Sequence, residues 1–242
     1  MKVLISPINE EEAVVAWECG TNIIDIKNIK EGSLGASFPW IIQSVIKSIP
    51  DKNVVFSATL GDLPYKPGTA ALAALGAVVS GVKYVKAGLH GPKNVSEGTE
   101  LMHAVVRSCK DYNPDVIVVT AGYADYKRFG GLSPQELVEI ASESKSDMVM
   151  VDTFIKDGKN LFDALTQESL TEFVTLAHKC GLAVALAGSV RADHLSALAQ
   201  TGADVVGVRG AVCSAGDRST TINRDKARSF IQAANSIEAV VV

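Results

Sequence analysis

Short runs rich in β-branched residues recur eight times along the chain, and each is followed by a longer segment with a helical pattern of apolar residues. The eight runs are Val3–Ser6, Ile23–Lys27, Val54–Thr59, Tyr84–Gly88, Val116–Ala121, Met148–Asp152, Ala183–Ala187 and Val205–Arg209. Strands that alternate with helices indicate parallel βαβ units, and eight such units indicate a closed barrel. The sequence therefore predicts an α/β fold, a single (β/α)8 TIM barrel.

The length of the chain agrees with one such barrel. Its 242 residues are close to the roughly 250 that this fold usually takes. Hydrophobic residues make up 47% and charged residues 21%, which are values of a globular chain. Because no charge run, low-complexity segment or proline-rich linker divides the sequence, we expect residues 1–242 to form one domain.

Helix boundaries are indicated by capping residues. Ser133–Glu136 and Ser169–Glu172 both have the serine and glutamate spacing of a capping box, which predicts a helix start at each. Glycines at 81, 181 and 202 follow helical segments, and a glycine is the residue best suited to end a helix. We therefore expect helices to begin at these serines and to end at these glycines.

Composition argues against several classes of function. A net charge of −4 and a pI near 5.6 disfavour a nucleic-acid-binding protein, because such proteins usually carry a basic surface. The four cysteines have no CxxC spacing and are too sparse for a disulfide framework. The N-terminus has no signal-peptide pattern, and no segment approaches the ~20 apolar residues of a membrane span. We therefore expect a soluble cytoplasmic protein with reduced thiols and no membrane partner.

Sequence motifs that bind metals or nucleotide cofactors are absent. The chain has no HxH or HExxH motif and no cluster of carboxylates with metal-ligand spacing. It also lacks the glycine-rich fingerprints of phosphate-binding loops and dinucleotide sites. His90 is the only histidine that we expect near the C-terminal ends of the strands. The sequence therefore predicts neither a metal nor a cofactor.

Polar side chains close several of the predicted strands. Asp25 and Lys27 close the second strand, Ser57 lies near the end of the third, Lys86 in the fourth and Asp152 at the end of the sixth. In a (β/α)8 barrel the C-terminal ends of all strands meet at the mouth that holds the active site. We therefore expect these side chains to converge on one pocket with apolar walls.

Two lysines and two aspartates in one pocket suggest Schiff-base chemistry. Neighbouring lysines lower each other's pKa, and a neutral amine is the species that attacks an aldehyde or ketone. We expect Asp25 to orient Lys27 and Asp152 to do the same for Lys86, with proton transfer as a second role. The alternative is a network of ion pairs in the mouth that has no covalent role.

The last two strands predict a phosphate site. Gly188 and Ser189 follow the seventh strand, and Arg209 and Gly210 follow the eighth. Barrels of this kind frequently bind phosphate at these two loops, where backbone N–H groups approach the ligand. Lys156 either contacts a phosphate or is solvated. A phosphorylated small carbonyl compound is the expected substrate class.

The loops after the second and third strands are long. They comprise Asn28–Ala36 and Leu60–Thr69. Loops of this length at a barrel mouth often close over a bound substrate. We therefore expect both to act as lids.

Several stretches of the chain resemble one enzyme family. They are Asp25–Ala36, Ser57–Thr59 with Gly61–Asp62, Tyr65–Thr69, Ala121–Asp125 and Gly207–Ala211. Together they are similar to the (5-formylfuran-3-yl)methyl phosphate synthases, also called 4-(hydroxymethyl)-2-furancarboxaldehyde-phosphate synthases, of methanofuran biosynthesis. The resemblance covers essentially the whole chain. Ile29 stands where the family loop has proline.

The resemblance implies a (β/α)8 enzyme that condenses two molecules of glyceraldehyde 3-phosphate into a phosphorylated furan aldehyde, with release of phosphate and water. The residue that matches the family's Schiff-base lysine is Lys27, and the one that matches its proton-transferring lysine is Lys86. The supporting aspartates match Asp25 and Asp152, and a further lysine matches Lys156. The expected partner is therefore a small phosphorylated substrate.

Two other readings use the same residues. One is a general Schiff-base aldolase that acts on phosphorylated sugars through Lys27, and the other is a barrel that binds a phosphorylated ligand without catalysis. Two substrates also need a second phosphate site, for which Lys156, Lys30 and Lys66 are the candidates. Barrels of this kind often assemble, so we expect a homo-oligomer, with the apolar tail Ala239–Val242 as a candidate contact.

Overall fold

The computed structural model describes residues 1–51 and 53–241, with side chains as far as residue 237. Parallel strands form a closed barrel in which each strand pairs with the next along the chain and the last pairs with the first. The strands are β1 (Lys2–Ile5), β2 (Ile23–Ile26), β3 (Val55–Leu63), β4 (Tyr84–Leu89), β5 (Ile117–Tyr123), β6 (Met148–Asp152), β7 (Ala183–Leu186) and β8 (Val205–Val208). The predicted (β/α)8 barrel and its eight strands are confirmed.

At least one helix follows every strand and packs outside the barrel. The helices are α1 (Glu10–Glu18), α2 (Pro39–Ser48), α3 (Pro67–Val79), α4 (Val95–Tyr112), α5 (Pro134–Glu143), α6 (Leu161–Ala164), α7 (Gln167–Lys179), α8 (Leu195–Gln200) and α9 (Arg224–Val241). Across the part of the chain that the structure describes, no helix has both the length and the apolar character needed to cross a bilayer.

Apolar side chains form one layer inside the barrel and one between the barrel and its helices. The inner layer includes Leu4, Val119, Met148, Met150 and Val205, which are all nearly or fully buried. Successive side chains of a strand point to opposite faces, so the alternate residues pack against the helices. Polar side chains that face inward at the C-terminal end of a strand therefore lie at the mouth of the barrel.

The predicted helix boundaries are confirmed at one capping box and wrong at the other. The hydroxyl of Ser133 accepts a hydrogen bond from the N–H of Glu136, and the Glu136 carboxylate accepts one from the N–H of Ser133. The start of α7 is different, because Thr166 caps the helix and the N–H of Ser169 is the donor that it satisfies. The glycines at 81, 181 and 202 follow helices with positive φ, as expected.

The third strand is longer than predicted. It continues past Thr59 to Leu63, with a shift in its pairing to β4 between Thr59 and Asp62. Gly61 lies at this irregularity with a φ of 116°, a backbone conformation that residues other than glycine rarely adopt. The first part of the predicted lid Leu60–Thr69 is therefore barrel strand.

Candidate active site

The C-terminal ends of the strands open into a cavity of about 790 Å³. The residues of the predicted site that line it are Asp25, Lys27, Lys86, Asp152, Lys156, Gly188, Ser189, Arg209 and Gly210. Ser57 is the exception. The structure thus brings together side chains that are far apart in the sequence.

Lys27 directly follows β2, and only 8% of its surface is exposed. Its Nζ atom lies 3.5 Å from the carbonyl oxygen of Ser33, and no carboxylate among the described residues is within ion-pair distance. Burial lowers the pKa of Lys27 to about 8 and outweighs the opposing charges of Asp152 and Asp25. A fraction of the Lys27 amine is therefore neutral near physiological pH, although most of it is still protonated.

A buried ion pair lies beside Lys27. Nζ of Lys86 is 2.6 Å from Oδ1 of Asp25, and the hydroxyl of Ser6 donates a hydrogen bond of 3.0 Å to Oδ2. Burial raises the pKa of the Asp25 carboxyl, but the charges of Lys86 and Lys27 and the hydrogen bonds to the carboxylate outweigh it. The net effect is a lowered pKa, so Asp25 is an anion that holds Lys86 in the cavity wall.

A second ion pair closes the other side of the cavity. Nζ of Lys156 lies 2.8 Å from Oδ1 of Asp152 and 3.0 Å from the hydroxyl of Thr153. The N–H of Thr153 also donates to the Asp152 carboxylate. Burial opposes ionisation of Asp152, but the charges of Lys156 and Lys27 and these hydrogen bonds lower its pKa to about 2. Asp152 is therefore ionised at any physiological pH.

The pairing of these charges differs from the expectation. Asp25 binds Lys86 instead of Lys27, and Asp152 binds Lys156 instead of Lys86. The reason is that Lys27 lies beyond the last residue of β2, so its amine reaches the following loop. Lys156 follows Asp152 by four residues, and this turn of chain brings its amine back to the carboxylate. Lys27 is thus the lysine without a carboxylate partner.

The two glycine-bearing loops line the cavity as predicted. Gly188 has a φ of 117°, and a Cβ there would lie 3.0 Å from the side chain of Thr153. Ser189 also has a positive φ, of 51°. No acceptor in the described parts of the chain binds the backbone N–H of Gly188, Ser189 or Gly210. Backbone N–H groups without an acceptor, on residues that line a cavity, are the kind of donor that an anion site uses.

The role expected for Arg209 needs correction. Its Nη1 and Nη2 atoms donate to the carboxylate of Glu12, with the shortest contact at 2.7 Å. The remaining N–H groups donate to the carbonyl oxygens of Ser6, Arg218 and Thr220. All five donors of the guanidinium are therefore occupied, so Arg209 ties the segment after β8 to α1 and has no donor left for a phosphate.

Ser57 also has a different place from the one expected. It is fully buried, lies opposite Asp25 in the pairing of β2 with β3, and does not line the cavity. Its hydroxyl contributes to the lowered pKa of Asp25. Ser57 therefore lies beside Asp25 under the cavity and outside its lining.

The loop after β2 is anchored inside the mouth. The carboxylate of Asp62 accepts hydrogen bonds from the N–H groups of Ser33 and Leu34, at 2.8 and 3.1 Å, and another from the hydroxyl of Tyr123. The hydroxyl of Ser33 donates to the carbonyl oxygen of Thr153. Leu34 is fully buried. The predicted lid is therefore anchored at the mouth by these contacts, and it supplies the carbonyl that contacts Lys27.

Polar residues of the mouth that were not predicted from the sequence include Ser6, Asp62 and Arg218. Ser6 ends the first predicted strand, so the rule that strand ends face the mouth was sufficient to find it. Asp62 lies past the predicted end of the third strand, and the extension of β3 carries it to the mouth. Arg218 lines the cavity from the irregular segment after β8, where no periodic pattern marks it. Lys30 and Lys66 are exposed and do not line the cavity.

His90 lies in an aromatic group beside the mouth. Its ring stacks on Phe154 and Phe129, with centroid distances of 4.2 and 5.1 Å, and meets the ring of Tyr123 edge-on. Tyr123 connects this group to the mouth, because its hydroxyl donates a hydrogen bond to Asp62. Within the described ranges of the chain, no group of three or more histidine, cysteine or carboxylate side chains is placed to hold a metal ion.

Several full-length relatives of the chain share one name. A profile of the 4-HFC-P synthase family matches residues 3–231. The (5-formylfuran-3-yl)methyl phosphate synthase of Methanothermobacter thermautotrophicus is 53% identical over 231 residues, which are 95% of this chain and 97% of the relative. The protein of the same name from Methanocaldococcus jannaschii is 52% identical over 218 residues, or 90% of this chain and 92% of the relative.

Solved structures with a similar fold have low sequence identity. Phosphoribosyl anthranilate isomerase from Thermus thermophilus has a TM-score of 0.66 at 16% identity, covering 98% of this chain and 100% of that one. Orotidine 5'-phosphate decarboxylase from Pyrococcus horikoshii has a TM-score of 0.65 at 13% identity, covering 96% and 99%. These likenesses show the barrel fold alone. The family profile and the full-length relatives show more, namely that this chain is an enzyme that belongs to the 4-HFC-P synthase family.

Proposed function

We propose that the enzyme is a lyase that condenses two molecules of glyceraldehyde 3-phosphate into (5-formylfuran-3-yl)methyl phosphate through a Schiff base at Lys27. The names of the relatives support the product. The atoms balance, because two triose phosphates equal this furan plus one phosphate and two waters. A site for this reaction needs an amine nucleophile, a proton carrier and anchors for phosphate.

The observation that carries the proposal is the state of the Lys27 amine. With a pKa of about 8, roughly 10% of it is neutral at pH 7, whereas a lysine with the ordinary value of 10.5 is roughly 0.03% neutral. The concentration of nucleophile is therefore higher by about 300-fold. Because Lys27 has no carboxylate partner, no ion pair has to break before the amine attacks.

Lys27 would attack the aldehyde carbon of one triose phosphate, and the carbonyl oxygen would leave as water when the imine forms. The protonated imine withdraws electrons and so acidifies the neighbouring carbon. Loss of that proton gives an enamine, whose electron pair drives the loss of phosphate or the bond to the second aldehyde. Ring closure and loss of water complete the furan, and hydrolysis of the imine returns the Lys27 amine.

Lys86 is the proposed proton carrier. Its contact of 2.6 Å with Asp25 fixes the amine in the cavity wall and links it to a carboxylate that can exchange a proton with it. The pair is nearly inaccessible to water, with 3% of the Lys86 side chain exposed. Protons can therefore pass within the pair without exchange into bulk water.

A phosphate of the substrate is proposed to bind at the loops after β7 and β8. The N–H groups of Gly188, Ser189 and Gly210 have no acceptor in the described chain and belong to residues that line the cavity, which suits a tetrahedral anion. Lys156 stands on the same cavity wall as Asp152 and has donor capacity beyond its two contacts. It would add a cation to this site.

A product assay tests the proposal. Incubation of the enzyme with glyceraldehyde 3-phosphate is expected to give one mole of inorganic phosphate for each mole of furan product, with the furan measured by its absorbance. Lys86→Met is expected to lower furan formation about 100-fold or more while Lys27 still forms the imine. Lys83→Met is the matched control, because Lys83 is exposed at the other end of β4. An open-chain aldol product without phosphate release would indicate a general aldolase instead.

A further inference from the structure

Most cations of the cavity are paired with carboxylates. Asp25 neutralises Lys86, Asp152 neutralises Lys156, and Glu12 neutralises Arg209. Two cations that are at least half-buried remain without such a partner among the residues that the structure describes. One is Lys27, whose amine is accounted for by the proposed imine, and the other is Arg218.

The guanidinium of Arg218 is only partly satisfied. It is half-buried in the cavity wall, and its Nη2 atom donates to the carbonyl oxygen of Gly32 at 3.1 Å. The structure gives its other N–H groups no acceptor within the described ranges. Burial lowers the pKa of Arg218 and the charge of Asp152 opposes this, so the group keeps its charge at a cost in free energy. A bound anion would recover that cost.

Arg218 and Lys27 both reach the loop after β2. The two cations contact the carbonyl oxygens of consecutive residues, Gly32 for Arg218 and Ser33 for Lys27. The carboxylate of Asp62 holds this part of the loop in place by accepting a hydrogen bond from the N–H of Ser33. The backbone of Arg218 lies in the segment after β8, close to Gly210, and its guanidinium reaches across to the loop after β2. An anion on the guanidinium would therefore lie beside the loop after β2, which also contacts the Lys27 amine.

We propose that Arg218 is the second phosphate site, which holds the phosphate of one triose phosphate while the N–H groups of Gly188, Ser189 and Gly210 hold that of the other. This inference rests on the proposed condensation, in which two phosphate esters occupy the cavity together. Each ester brings a charge of about −1.5 to −2, so a second site without a cation would place like charges near each other. A guanidinium suits this role because its donors match phosphate oxygens in pairs.

Other cations near the mouth fit the role less well. Lys226 lines the cavity but is exposed to water, and Arg191 is exposed and paired with Asp193. Lys30 and Lys66 lie outside the cavity. Arg218 is the cation that is both half-buried and open towards the cavity.

Titration of the protein with inorganic phosphate, followed by calorimetry, tests the inference without turnover. The wild-type enzyme is expected to bind two phosphates, and Arg218→Gln one. Arg218→Lys is expected to keep both, with one weakened about tenfold, since a point charge replaces a bidentate donor. Lys226→Gln, the matched control, is expected to behave as wild type. Two unchanged sites in Arg218→Gln would overturn the inference, and an unfolded variant is recognised from its thermal transition and replaced by Arg218→Lys.

Failure of the inference can be told apart from failure of the proposed function. Borohydride trapping of unphosphorylated glyceraldehyde on Lys27 is expected to be the same in Arg218→Gln as in wild type. Trapping of glyceraldehyde 3-phosphate is expected to need about tenfold more substrate in the variant. If the two aldehydes respond equally to the substitution, Arg218 does not bind phosphate. If wild-type Lys27 traps neither aldehyde, the proposed function fails whatever the phosphate titration shows.

Discussion

Single residues set the reactivity of Lys27, because burial and nearby charges act on its amine in opposite directions. Burial lowers the pKa, Asp152 and Asp25 raise it, and Lys86 lowers it. Since each carboxylate is itself bound by another lysine, neither holds the Lys27 amine in its charged form by direct contact. As a result, the Lys27 amine is partly neutral at pH 7 although the carboxylates of Asp25 and Asp152 are nearby.

Asp152→Asn tests this balance. Asp152 is the carboxylate that most favours the charged form of Lys27, and its loss also leaves the cation of Lys156 unneutralised. Both changes lower the pKa of Lys27, so the pH midpoint of imine trapping is expected to fall by about one pH unit. The measurement is the trapping rate from pH 6 to 10.

The matched control for that substitution is Asp157→Asn, which removes a carboxylate that pairs with Arg128 outside the cavity. Its midpoint is expected to equal that of the wild-type enzyme. A higher midpoint in Asp152→Asn than in wild type would contradict the assignment of Asp152 as a group that stabilises the Lys27 cation.

The identities of the site residues could be predicted from sequence, but their partners could not. The alternation of side chains along each strand was enough to predict that Asp25, Lys86 and Asp152 lie at the mouth. Which lysine meets which carboxylate depends on side-chain reach across strands and on where the strand ends, and both are tertiary properties. Arg209 shows the same limit, since its position marked it as a phosphate ligand and its actual partner, Glu12, lies 197 residues away in the chain.

At the scale of elements, the loop after β2 is held by a contact that leaves no room for a side chain. Gly32 has a φ of 136°, and a Cβ at this position would overlap the carboxylate of Asp62 that anchors Ser33 and Leu34. Gly32→Ala is therefore expected to displace the loop and slow imine trapping about tenfold or more, while the barrel stays folded. Trapping kinetics and the thermal unfolding midpoint measure the two effects.

Gly20→Ala separates the clash from backbone strain. Gly20 also has a positive φ, of 89°, but no atom lies within 4 Å of a Cβ built there. It is expected to lose stability by about 1 kcal/mol with normal trapping. Equal trapping rates in the two variants would show that the loop does not position Lys27.

Elements whose boundaries depend on one irregular residue were the ones that sequence patterns misplaced. A run of β-branched residues ends near Thr59, but the bulge at Gly61 lets the strand resume with Asp62 and Leu63. Likewise Ser169 has the spacing of a capping box, yet Thr166 offers an equivalent hydroxyl three residues earlier and caps α7. Local sequence patterns therefore predict the presence of a strand or helix more reliably than the residue at which it ends.

At the scale of the whole molecule, one buried ion pair ties the barrel to the segment that follows it. Arg209 joins Glu12 of α1 to carbonyl oxygens of the segment after β8, and 3% of each side chain is exposed. Glu12→Gln removes the charge and leaves the guanidinium buried without its anion. The free energy of unfolding is expected to fall by about 3 kcal/mol, measured by denaturant titration.

Glu11→Gln is the control for Glu12→Gln, because Glu11 is the adjacent residue of α1 and is exposed. It is expected to change the free energy of unfolding by less than about 0.5 kcal/mol. If phosphate binding fell and stability did not in Glu12→Gln, Arg209 would have a ligand-binding role after all.

The outer surface carries a patch that suits association between copies of the chain. Leu72, Leu75 and Val79 form an exposed stripe on α3, and the exposed Trp40 lies on the neighbouring α2. The side chains of the tail Ala239–Val242, predicted as a contact, lie outside the described residues. We propose a homo-oligomer, with a sedimentation mass that is a multiple of 25.5 kDa and is reduced in Leu72→Glu. A wild-type mass of 25.5 kDa would contradict this.

The central claim is that Lys27 forms a covalent imine with the substrate. Borohydride reduction in the presence of glyceraldehyde 3-phosphate, followed by peptide mass spectrometry, tests it most directly. The predicted result is a label on Lys27 whose rate rises about tenfold per pH unit and levels off above pH 8, because the neutral amine is the reactive form and its pKa is about 8. Lys27→Arg is expected to take up no label. A wild-type enzyme labelled on Lys86 or Lys156 instead, or not labelled at all, would contradict the claim.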